Sequence, residues 1–169
     1  MNRINVTGNQ VLASVVALLR ASLGFDESTC YEVANPDHVP SVPLTGDWWC
    51  TVAGGDGQFD PGNQDRSQCS EETEVIVTAY TRIMTDRTDH ATDLLHDPDR
   101  GCLHMKHKLL SALVGKDLTT PTGDTFLRQF VWAARSSPAV TGEHEESKDL
   151  IGRIQLTFRI EFDWELEEL

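Results

Sequence analysis

His104 and His107 stand three residues apart, the spacing at which two imidazoles on one face of a helix share a metal ion. With a carboxylate such as Asp99 as third ligand, the set would suit a metal-dependent hydrolase. Lys106 and Lys108 interleave with the histidines, however, and their charge opposes a bound cation. The better reading is a basic, partner-facing helix surface made of His104, His107 and Lys108. The other histidines, His38, His90, His96 and His144, fall in segments that read as loops. Gly57 and Gly62 have the glycine spacing of a phosphate-binding loop, but Asn63 and Gln64 follow where Lys and Ser or Thr are needed. Asp56, Asp60 and Asp65 would also repel a phosphate. Counted as a calcium loop from Asp56, the same stretch ends on Ser67 where a bidentate glutamate belongs. These three aspartates are better read as a candidate interface loop. No Gly-x-Ser-x-Gly turn is present, and Cys102 belongs to an apolar stripe, so no nucleophile stands out. Neighbouring strand residues point to opposite faces, so at most one of Trp48 and Trp49 is expected to be exposed as a stacking platform. No catalytic residue, metal or cofactor is expected.

The bulk properties point the same way. The 169-residue chain is long enough for an independent core and reads as one domain over 1–169. A formal net charge of -13, acidic in both halves, disfavours tight nucleic-acid binding, which draws its affinity from Lys and Arg. The four cysteines, Cys30, Cys50, Cys69 and Cys102, form no Cys-x-x-Cys pair and are expected as reduced thiols of a cytosolic product without a leader. The apolar run over 11–23 is short and broken by Ser14, Arg20 and Ser22, so no membrane span is expected.

The elements that must position these residues follow from periodicity. Thr7 and Gln10 have capping-box spacing, and Leu12, Val15, Val16, Leu19 and Leu23 recur at helical intervals up to Gly24. A second amphipathic helix is expected from the Asp97-Pro98 start to Val114, with Cys102, Met105, Leu109, Ala112 and Leu113 buried. Short strands are expected over 30–33 and 48–52, a central one over 72–83 and another over 126–135. The clearest signal is the strict alternation over 153–166, which predicts one buried and one wet face on a strand of about 43 Å. Its neighbour is expected to be the 126–135 strand. Glu161, Asp163 and Glu165 lie on the wet side and are candidates for an acidic lumen in an oligomer. Polar stretches near 54–70 and 136–149 are expected as exposed loops. The fold class is α+β: a mostly antiparallel sheet with a long C-terminal strand, packed by two amphipathic helices.

The order of these elements carries a resemblance: an amphipathic N-terminal helix, an acidic loop, the strand EVIVTAYTR over 74–82, the helix RGCLHMKHKLLSAL over 100–113, and a long final strand ending Phe162-Asp163-Trp164-Glu165. This pattern resembles the tail terminators and related neck, or head-tail joining, proteins of long-tailed phages and phage-derived particles. The resemblance implies a structural virion protein, made in the host cytoplasm, that forms a hexameric ring of itself. Such a ring caps the tail-tube protein, docks the head-tail connector or stopper, and lets genomic DNA pass without tight binding. The runner-up within the same class is a head-completion or stopper protein. The resemblance supplies no catalytic residue and no membrane role.

Overall fold

The computed structural model describes residues 8–44, 46–64, 68–83, 96–99, 101–118, 131–147 and 150–165. Among the described residues, two helices, α1 (Gly8–Leu23) and α2 (Cys102–Leu113), accompany six strands: β1 (Cys30–Glu32), β2 (Trp48–Gln64), β3 (Gln68–Ile83), β4 (Val131–Ser136), β5 (Val140–Glu143) and β6 (Leu150–Glu165). The strands make one sheet in the order β1-β2-β3-β6-β4, with β5 also paired to β6. Among the described strands only β1 with β2 is parallel; every other pairing is antiparallel. The architecture is therefore α+β, as the periodicities predict.

The spine is the β3-β6 ladder. All sixteen residues of β3 pair without a break, from Gln68 opposite Glu165 to Ile83 opposite Leu150. At about 3.3 Å per residue the ladder runs about 50 Å. Alternation decides its two faces. Val75, Val77 and Ala79 on β3 and Ile154, Leu156, Phe158, Ile160 and Phe162 on β6 are buried in one core with the helices. From α1 come Val11, Val15, Val16 and Leu19; from α2 come Cys102, Met105, Leu109, Ala112 and Leu113, the stripe expected from its spacing. Arg20, which interrupts the apolar run of α1, donates from Nε (2.9 Å) and Nη2 (2.8 Å) to the Cys30 carbonyl and so ties the helix to β1. Gly24, at φ 71°, ends α1 because that left-handed conformation strains any residue with a Cβ. The expected Thr7 cap lies outside the described residues.

The opposite face has its own cover at one end. Trp49 stacks on Tyr80 at 5.5 Å, and with Ile151 they form a second buried cluster against which Val42 packs. The Tyr80 hydroxyl donates to the His38 carbonyl (3.3 Å), and Arg153 Nη2 donates to the Pro36 carbonyl and to Asp37 (both 3.1 Å). The proline-rich segment after β1 is thus a strap held by polar bonds.

Three expectations need correction. The described residues of the 54–70 stretch are strand rather than loop: β2 continues through Gln64 and β3 begins at Gln68. Its glycines read as turn formers, but β3 is a ready template, and Gly55 and Gly57 permit close approach. A Cβ at Gly55 would sit 2.9 Å from the Glu74 Cβ, and one at Gly57 would collide with the Glu71 carboxylate. Register shifts between Gly54 and Gly57 and between Phe59 and Gln64 absorb the surplus residues. The 136–149 connection likewise folds back, placing β5 against the start of β6. Finally, α2 proper begins at Cys102. Asp97 does open a turn, its carboxylate accepting from the Asp99 amide (2.8 Å) and its carbonyl from the Gly101 amide (2.9 Å). Gly101 then extends (φ -67°, ψ 155°) and separates that turn from the helix.

Candidate functional site

Beyond the strap, the outer face of the ladder is a row of charges. Strand alternation brings Ser70, Glu72 and Glu74 of β3 to the same side as Asp163, Glu161 and Arg159 of β6, each directly opposite its partner in register. Ser70 donates to Asp163. Arg159 reaches Glu72 (3.3 Å) and Glu74 (3.6 Å), and Arg135 of β4 closes on Glu74 at 2.6 Å. The two carboxylates Glu72 and Glu161 face each other, a like-charge pair that costs stability in a ladder. Glu161 and Asp163 therefore share one face, half-buried and acidic; the Glu165 side chain lies outside the described residues, although its backbone pairs with Gln68. Of the aspartates read as an interface loop, Asp56 and Asp60 are exposed on β2, and Asp65 lies outside the described residues. The Asp60 carboxylate accepts from the Gly62 amide at 2.8 Å. Between this part of β2 and the ladder is a cleft of about 310 Å³ walled by Phe59, Asp60, Glu71, Glu72 and Glu161.

His104 is half-buried on α2, and His107 and Lys108 are exposed beside it. Lys106 extends to the Ser136 hydroxyl of β4 at 2.9 Å. Among the described residues, no three His, Cys, Asp or Glu side chains converge as metal ligands. Trp48 and Trp49 do point to opposite faces: Trp48 packs edge-on against Phe25 on the helix side at 4.4 Å, whereas Trp49 is wholly buried on the other. Neither is an exposed platform, because the strap covers the face that the sequence leaves open.

Two groupings have no signal in the sequence. A cavity of about 680 Å³ lies between the strap and the β5-β6 turn, with His38, Glu143, His144 and Arg153 in its wall. His144, only 8% exposed, accepts from the Ser147 amide at Nδ1 (3.2 Å), which leaves Nε2 to donate to the Pro40 carbonyl (3.1 Å). Its partners lie far apart in sequence, so spacing cannot reveal them. The other grouping is Cys30 and Cys50, paired in the β1-β2 register and both fully buried. All four cysteines are free. The hydrogen bond with Cys30, and then burial, push the Cys50 thiol well above its ordinary range.

The geometry defines an α+β protein with one charged sheet face and no convergent metal-ligand set among its described residues. No family model matches the chain, and no curated protein matches it. Among solved structures it is similar to a chain described as "Virion of native gene transfer agent (GTA) particle", with a TM-score of 0.49 and 20% identity, over 92% of this chain and 96% of that one.

Proposed function

We propose that this chain is a structural subunit of a phage or phage-derived virion: a tail terminator that assembles into a ring, six-fold by the resemblance, between the tail tube and the head connector. The observation that carries the reading is the outer face of the β3-β6 ladder, where Glu72, Glu161 and Asp163 stand together on a long, continuously paired support. A lumen lined with such a face repels phosphate, so DNA slides through it without being held. The element order that resembles tail terminators supports the same reading, since the helix, central strand, helix and long last strand occur in that sequence. Partners on this reading are other copies of the chain, the tail-tube protein and the connector or stopper; the particle's neck is its location.

The test is particle size. Mass photometry and negative-stain microscopy of the purified chain, alone and with the purified tail-tube protein of the same particle, should reveal closed rings of uniform diameter. A chain that stays monomeric at high concentration and in the presence of tube protein overturns the proposal.

A further inference from the structure

We infer that the outer face of α2 docks onto the distal part of β2 in a second copy of this chain, so that neighbouring copies join head to tail across opposite edges of the sheet. The inference rests on the ring reading and names the two surfaces that would build it. One surface is the exposed side of α2. Leu103 and Val114, 47% and 44% exposed, stand at its two ends with His107, Lys108 and Ser111 between them. Those positions fall on one stripe of a helix, and the stripe lies outside the core formed by Cys102, Met105 and Leu109. Charge segregates to match. Neither α1 nor α2 contains a single carboxylate, in a chain whose net charge is -13.

The complementary surface is β2 beyond the helices, where Asp56 and Asp60 are exposed and Phe59 is 51% exposed at the acidic cleft that includes Glu71. An aromatic ring beside carboxylates suits a lysine, whose stem packs on the ring while its ammonium meets the acid. The two surfaces do not meet within one copy. α2 packs on α1 and toward β3, β6 and β4 and sends Lys106 to Ser136, whereas Phe59 and Asp60 belong to the part of β2 beyond Gly54, on the other side of β3. A contact between unlike patches repeats from copy to copy and closes into a ring when the rotation permits. Acid against acid and base against base are both repelled, which favours the head-to-tail arrangement. Glu72 and Glu161 of the ladder's outer face also border the acidic cleft, so the docking surface adjoins the face proposed to line a lumen.

Charge reversal tests the pairing. Lys108→Glu and Asp60→Lys should each weaken self-association at least about tenfold in sedimentation velocity at low salt, and the double variant should regain most of the loss. Asp56→Lys serves as a second acidic-side variant, independent of the Asp60 to Gly62 bond. Circular dichroism checks that each variant folds. Wild-type rings that form equally well in all the single variants would overturn this inference and leave the ring reading standing. A wild-type chain that never self-associates, with or without tube protein, overturns both.

Discussion

The two faces of the β3-β6 ladder are made by the same two strands, yet they obey different chemistry. Toward the helices every β6 position from Ile154 to Phe162 on that side is apolar and buried. Away from them, the same stretch presents Gln155, Arg159 and Glu161, with only Thr157 buried. Fully burying a large apolar side chain contributes about 1.5 to 3 kcal/mol, whereas exposed ion pairs contribute about 0 to 1 kcal/mol. The helix side therefore supplies the stability, and the outer side is free to carry charges the fold does not require. A like-charge pair such as Glu72 with Glu161 is the kind of feature that stability alone does not explain.

The largest effect should come from breaking the helix side. Phe158, 1% exposed and central in β6, packs in the main core, and Phe158→Ala should lower unfolding free energy by about 3 to 5 kcal/mol in denaturant titrations. A loss under about 1 kcal/mol would mean that this face does not dominate stability.

The strap comes next, because it makes part of the outer face resemble the inner one. His144→Ala removes the bond to the carbonyl of the buried Pro40 and the bond from the Ser147 amide, so a loss of about 1 to 3 kcal/mol is expected. Limited proteolysis should also show faster cleavage within 35–43. Cleavage unchanged from wild type would argue that His144 does not hold the strap.

Under α1, the Cys30 and Cys50 thiols provide a pH-dependent version of the comparison. Because the folded state raises the Cys50 pKa, it keeps the proton that the unfolded chain releases first. The stabilisation is then complete below the ordinary thiol pKa of about 8.5 and is lost as pH rises above it toward the folded value. Cys50→Ala should flatten the alkaline fall of unfolding free energy relative to wild type. Equal slopes in the two proteins would remove Cys50 as a cause.

Much of this division is legible in the sequence, and the failures share one physical origin. The α1 stripe, the α2 stripe and the β6 alternation are local periodicities, each imposed by one core face; the α2 and β6 patterns match the observed burial, and on α1 Val15, Val16 and Leu19 are buried while Leu12 and Leu23 are only partly so. The distal half of β2 is different. Gly54, Gly55, Gly57, Pro61 and Gly62 have poor strand propensity, and what extends them is pairing with β3 rather than anything local. The strap over Trp49 and the contacts of His144 are long-range in the same way. On the site, spacing placed Glu161 and Asp163 on one face and His107 and Lys108 on an exposed helix side. It gave no sign that Phe59 and Asp60 belong to a strand.

The two smallest expected effects lie on the charged face itself. Arg135→Ala removes an ion pair with Glu74 whose arginine is 65% exposed, and should cost no more than about 1 kcal/mol. Glu161→Gln should change unfolding free energy by no more than about 1 kcal/mol in either direction, since relief of the repulsion across from Glu72 is set against the interactions Glu161 itself makes. Function and stability should then part ways. If the face lines a DNA passage, replacing Glu161 and Asp163 together by Lys should leave the protein folded, at a cost of about 1 to 3 kcal/mol for the buried Ser70 hydroxyl that loses Asp163 as acceptor. The same variant should acquire salt-sensitive retention of double-stranded DNA in filter-binding assays, because each added cation releases counterions from the phosphate backbone. A well-folded double variant that retains no more DNA than wild type would assign this face to protein contact instead of a lumen.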